Sequence, residues 1–86
     1  MKIVFTDHAK RRMRERNLSV RQVKGFITNP DTIEPSTKDP RRFLIKKSYY
    51  HRSLKRMHLA MMICEQKGSV LVVVTIIDTS KIAKYT

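Results

Sequence analysis

The sequence predicts an α+β domain in which a helical hairpin packs on one face of a mostly antiparallel sheet of four to five strands, in the order β-α-α-β-β-β(-β). Three observations carry this. Apolar residues recur three and four apart in two stretches before residue 30, which is the period of helices seated on a core. From Arg41 onward the period becomes two, the signature of strands. Eighty-six residues suffice for one modest core, so residues 1–86 are expected to form a single domain.

Lys2 to Phe5 reads as a short first strand. A helix follows to about Arg16, with Thr6 placed to cap it and Asp7 placed where the positive end of the helix dipole favours an anion. Ala9 and Met13 form its apolar edge, and His8 and Arg12, four apart, form a neighbouring row. Asn17-Leu18 breaks this helix. Ser19 caps the next, which runs through Val20, Val23, Phe26 and Ile27 and stops near Asn29-Pro30, because proline disfavours helix at the residue before it.

Thr32 to Glu34 is a short, weak strand ended by Pro35, and Ser36 to Pro40 is a polar loop. In Arg41 to Tyr50, Phe43 and Ile45 alternate with Arg42, Leu44 and Lys46. In Lys55 to Glu65, Met57, Leu59, Met61 and Ile63 share one face, and Arg56, His58, Ala60, Met62 and Cys64 share the other. After a turn at Gln66-Lys67-Gly68, Val70 to Ile77 is apolar on both sides, as a central strand is. Asp78 to Thr86 reads as a polar tail with a final helical turn around Ile82 and Tyr85. Two helices cover only one sheet face, yet Leu71, Val73 and Ile77, with Ala60, Met62 and Cys64, ask for cover on the second. A homodimer or a bound partner segment is expected there.

Nineteen Lys plus Arg against seven Asp plus Glu leave a net charge of +12, whose self-repulsion an anionic partner relieves. Nucleic acid fits best. A membrane surface would require bulkier anchors than Ala9 and Met13, and no membrane partner is expected. Met1 to Phe5 is far short of a secretory leader core, and Val70 to Ile77 is far shorter than a membrane span. The single cysteine, Cys64, suits a reducing compartment, so a cytoplasmic location is expected.

No metal-ligand spacing surrounds His8, His51, His58 or Cys64, and two glycines, Gly25 and Gly68, make no phosphate loop; no cofactor is expected. Neither Ser48 nor Ser53 sits in a nucleophile elbow. What remains is acid, base and cation chemistry. RNA carries its own nucleophile in the 2′-hydroxyl, so its cleavage needs only a proton acceptor, a proton donor and cations. The candidates are His8 with Arg12 on the first helix, and Arg42, Lys46, Arg56 and His58 on what reads as one polar sheet face.

The run Phe5-Thr6-x-His8-Ala9-x-x-Arg12-Met13-x-x-Arg16, then Leu18-Ser19 and a second helix ending Asn29-Pro30-Asp31, resembles the opening of the DUF4258 family of bacterial domains. The likeness continues into Val72-Val73-Val74-Thr75 and covers nearly the whole chain. The resemblance implies a fold related to the RelE and BrnT type toxins, commonly metal-independent ribonucleases neutralised by an antitoxin. By position it carries over His8, Arg12, Arg16, Arg41 or Arg42, and Thr75.

Two functions are therefore expected. The first is a toxin-like endoribonuclease, free in solution or ribosome-associated, with His8, Arg12, Arg42 and His58 as catalytic candidates. Lys10, Arg11, Arg16, Lys46, Arg56 and Thr75 would then hold the RNA, and an antitoxin or a second copy would cover the open sheet face. The alternative is a non-catalytic nucleic-acid binder or regulator that uses the same basic face.

Overall fold

The computed structural model describes residues 2–84. In chain order its elements are β1 (Lys2–Phe5), α1 (Asp7–Glu15), α2 (Val20–Thr28), β2 (Thr32–Pro35), β3 (Arg42–His51), β4 (Arg56–Lys67) and β5 (Val70–Thr79). A single turn of 3-10 helix, Ile82–Lys84, follows; Tyr85, which the sequence placed in that turn, lies outside the described residues. The strands form one sheet in the order β1-β5-β4-β3-β2. β1 runs parallel to β5, and the other neighbours are antiparallel. The expected α+β architecture is present with five strands, and the helices carry the chain from the β1 edge to the β2 edge.

Each helix starts where its capping residue dictates. The Thr6 hydroxyl accepts the Ala9 N–H at 3.0 Å, and Ser19 and Gln22 form a reciprocal capping box at the head of α2. α1 closes at Arg16; Asn17 then turns into the left-handed region at φ 57°, and the Leu18 N–H reaches back to the Met13 carbonyl. Ala9, Met13, Val23 and Ile27 point at the sheet, as their spacing required, and Leu18 fills the space between the helices.

The sheet residues beneath them correct the sequence reading. Ala60, Met62, Cys64, Leu71 and Val73 lie under the helices, in one cluster with Ile45 and Ile76. They do not form a second, uncovered face. The reason is a β-bulge: Ile63 pairs with Thr75 but Cys64 pairs with Val73, which leaves Val74 as the extra residue and reverses the alternation of β5. Ile77 therefore faces away from the helices while Ile76 and Asp78 face them. The face turned away holds Val4, Leu44, Ile63, Val72 and Ile77, all half-buried, around the more deeply set Leu59 and Met61.

The β4–β5 turn uses Gly68 at φ 61°, a conformation that costs a glycine nothing. No glycine is available between β3 and β4, so Lys55 takes the left-handed position at φ 53°, and its N–H closes the loop on the His51 carbonyl at 2.7 Å. Cys64 is a packing residue whose thiol burial pushes up to about 12. Among the described residues no helix is long and apolar enough to cross a membrane.

Candidate active site

The four catalytic candidates read from the sequence do not converge. His8 stands exposed in the first turn of α1, and its Nδ1 meets the Arg11 guanidinium at 3.1 Å, not Arg12. Arg12 instead turns toward β5, where its Nε lies 3.5 Å from the Ile76 carbonyl. Arg42 opens β3 between Asp39 and Glu65, at 3.7 Å from each. Seven residues of strand, about 23 Å, separate it from Tyr49, the cross-strand partner of His58.

The basic sheet face also divides in two. Arg42 and Lys46 pair across β3–β4 with Glu65 and Met61, on the side away from the helices, whereas Arg56 and His58 lie on the helix side. Strand alternation forbids the four from sharing a face. Lys46 is engaged with Glu34 at 3.1 Å. Thr75 faces away from the helices opposite Ile63, and Lys10 and Arg11 are exposed on α1.

His58 does find partners, at the end of the sheet next to Arg16. Its Nδ1 lies 3.1 Å from both carboxylate oxygens of Asp78, and the Tyr49 hydroxyl donates to Asp78 Oδ1 at 2.6 Å. All three come from different strands, and the bulge at Val74 is what turns Asp78 inward. Thr6 clamps that bulge: its N–H donates to the Val73 carbonyl at 3.1 Å and its hydroxyl to the Val74 carbonyl at 2.7 Å. His51 packs beside His58 with ring centroids 4.9 Å apart, and Phe26 stacks on Tyr49 at 4.8 Å. The His51 ring donates from Nε2 to the Arg16 carbonyl and accepts the Leu54 N–H at Nδ1, both at 3.3 Å, which ties the end of α1 to the β3–β4 loop.

Proton positions follow from these contacts. A carboxylate facing Nδ1 keeps a proton there, so the lone pair of the neutral ring resides on Nε2. That nitrogen is buried and has no hydrogen-bond partner among the described residues. Burial, then the bond to Asp78, raises the Tyr49 hydroxyl well above its ordinary range, so it stays a donor to the carboxylate. Beside the ring opens a depression of about 430 Å³ lined by Arg16, Leu54, Arg56, His58, Asp78, Thr79, Ser80 and Lys81. Three cations thus border a proton acceptor whose tautomer is fixed from behind, which suits an anionic ligand that must lose a proton. Among the described residues no three His, Cys, Asp or Glu side chains are grouped to hold a metal.

Asp78, Tyr49, His51 and Lys81 were not singled out by sequence reasoning. Tyr49 and His51 carried a signal, since both alternate onto the face of Phe43 and Ile45. Asp78 carried none, because simple alternation from Leu71 and Val73 sends it to the other side.

The family model "Domain of unknown function (DUF4258)" matches residues 5–78, the span from the α1 cap to the carboxylate behind His58. No curated protein and no solved structure matches the chain.

Proposed function

We propose, for a chain that belongs to the DUF4258 domain family, a metal-independent endoribonuclease activity of toxin type centred on His58. The observation that carries this reading is the His58 ring, held at Nδ1 by Asp78 and, among the described residues, unpartnered at Nε2, beside a depression lined by Arg16, Arg56 and Lys81.

His58 Nε2 accepts the proton of a 2′-hydroxyl as that oxygen attacks the adjacent phosphorus. The P–O5′ bond breaks, the Lys81 ammonium gives a proton to the leaving 5′-oxygen, and a 2′,3′-cyclic phosphate remains. Arg16 and Arg56 neutralise the charge that develops on the phosphorane oxygens; arginine suits this because its planar fork holds two oxygens at once. Asp78 is a positioning residue that fixes the tautomer. His8, Lys10, Arg11 and Arg12 guide the strand along α1, with His8 about 12 Å from Arg16 along the helix axis.

The relation to RelE and BrnT type toxins that the family resemblance implies extends the proposal to a toxin–antitoxin pair, with an acidic antitoxin or a second copy on the apolar sheet face opposite the helices. The test is incubation of the protein with RNA in EDTA, with and without ribosomes. Products ending in 2′,3′-cyclic phosphate are expected from the wild type, and His58→Ala should lower the rate by roughly 10²–10⁴-fold. Cleavage at the wild-type rate by a folded His58→Ala protein would sink the assignment.

One observation favours a second reading, binding without cleavage: His58 Nε2 is sealed from solvent, so a substrate oxygen reaches it only if the side chains around it move aside. Its mark is salt-sensitive RNA binding that His58→Ala leaves intact, with no product formed.

A further inference from the structure

The two sides of the sheet differ in electrical character. α1, α2 and the link between them, residues 7–28, carry seven Lys and Arg against Asp7 and Glu15. The face turned away from the helices is apolar across its middle, where Val4, Leu44, Ile63, Val72 and Ile77 come from four adjacent strands. Tyr50 and Met57, cross-strand partners that are 56% and 48% exposed, extend it at the far end of β3 and β4. Charge on this face is mostly cancelled. Arg42 and Lys67 reach Glu65 at 3.7 and 3.4 Å, and Lys46 reaches Glu34 at 3.1 Å. Lys2, on the edge strand opposite Val70, is the one cation of these strands on that face with no acidic partner among the described residues.

Charge decides which occupant suits such a face. An acidic protein gains most against the helix layer, where cations outnumber carboxylates. A second copy is the reverse case. Two chains of net charge +12 repel each other strongly wherever their helix layers meet, and least where charge is already paired. A two-fold interface also needs a patch that can match itself, and an apolar face with a neutralised margin does so. Its size is adequate. Met57 to Lys67 along β4 is about 33 Å and five strands span about 19 Å, so the face measures about 630 Å² on each copy and about 1,250 Å² on two. Specific interfaces begin near about 1,200 Å².

We propose that the chain forms a homodimer in which this sheet face packs on the same face of a second copy, with both helix layers outward. The half-buried side chains of the two faces interdigitate as in a β-sandwich. A second copy, and not an acidic protein, therefore occupies the face, and an acidic partner is directed to the helix layer. The dimer leaves His58 and its depression on the outer, helix side of each copy, and it does not rest on RNA cleavage.

Sedimentation velocity between about 1 and 200 µM, in 50 and 500 mM NaCl, tests it. A monomer–dimer equilibrium with a micromolar dissociation constant is expected, in keeping with an interface near the lower size limit. The affinity should hold or rise at the higher salt, because salt screens repulsion between like-charged chains. Ile63→Asp, in the middle of the face, should weaken association at least tenfold. Met57→Glu, at an exposed site whose change spares the core, should weaken it at least threefold. In a mixture of isotope-labelled and unlabelled chains, NOEs between copies should fall on the methyls of Leu44, Ile63, Val72 and Ile77. A monomer throughout the range overturns the proposal and leaves the face to another protein. Contacts between copies on α1 or α2, or an affinity that drops tenfold with salt, overturn it as well. RNA cleavage by a monomeric wild type would sink the dimer alone, and a dimer without cleavage would sink the nuclease alone.

Discussion

The two ends of α1 carry the same residue types, a histidine beside arginines, in opposite surroundings. At the N-terminal end His8 is exposed and meets a neighbour three residues along its own helix, the Arg11 guanidinium. At the C-terminal end Arg16 approaches a histidine from β4 that is buried and oriented by a carboxylate from β5, itself held by a hydroxyl from β3. An exposed contact within one helix fixes little, because both side chains keep their rotamers and water competes. Three strands converging on one ring fix its position and its tautomer together. The difference teaches that pre-organisation, more than residue type, separates a histidine placed for proton transfer from a coating one.

The largest expected effect tests that contrast directly. Asp78→Asn preserves the shape of the cluster but removes the charge that holds the Nδ1 proton, so RNA cleavage should fall roughly 10²–10⁴-fold. His8→Ala should leave it within about threefold. Rates measured on the same oligonucleotide settle the comparison, and the reverse ranking would move the site to the other end of the helix.

The N-terminal end has a structural role that the next variant exposes. Thr6→Val keeps the shape of the side chain but loses the cap on the Ala9 N–H and the bond to the Val74 carbonyl. A stability loss of about 1–2 kcal/mol is expected in urea titration. Cleavage should fall as well, because the bulge that turns Asp78 toward His58 loses one of its two tethers to Thr6. A variant with full stability and full activity would disconnect the Phe5-Thr6-x-His8-Ala9 run from the distant carboxylate.

Legibility in the sequence divides along the same line. The helices and their caps could be read because Thr6, Ser19, Ala9, Met13, Val23 and Ile27 act over three or four residues. Strand faces within β3 and β4 could be read because alternation is also local. The matching of faces between strands could not. It depends on register, and one extra residue at Val74 reverses the assignment of everything after it, which is how Asp78 passed for the start of a tail. His58 was legible as a histidine on the Arg56–Cys64 face; Asp78 became its neighbour, and that of Tyr49, only through pairing that spans 20 and 29 residues. The same limit misplaced Arg42 and Lys46, whose strand face was read correctly and matched to the wrong face of β4.

A smaller effect separates orientation from support. Tyr49→Phe keeps the stack on Phe26 and deletes the hydroxyl that donates to Asp78. The carboxylate still faces His58 but loses one of its partners. About 0.5–1.5 kcal/mol of stability should go, read by thermal unfolding, with cleavage reduced less than tenfold. A loss as large as that of Asp78→Asn would show the three groups acting as one unit.

The smallest effect belongs to an acidic group outside both ends of α1 and serves as their electrostatic reference. Asp31, before β2, accepts the Ser48 N–H at 2.7 Å and lies 3.4 Å from Lys47. The backbone hydrogen bond, aided by the lysine, holds its carboxyl below the ordinary value of 3.8. A lowered folded value means that the ionised form stabilises the fold. Its contribution is complete above the unfolded value and is lost as pH falls through the lower folded one. Wild type should therefore exceed Asp31→Asn in stability at pH 6 by less than about 1 kcal/mol, since the group is exposed. The gap should close as the pH is taken below 3.8. A gap that persists unchanged to pH 2 would mean that the side chain acts through shape, and the contrast between exposed and buried charge would rest on the His58–Asp78 pair alone.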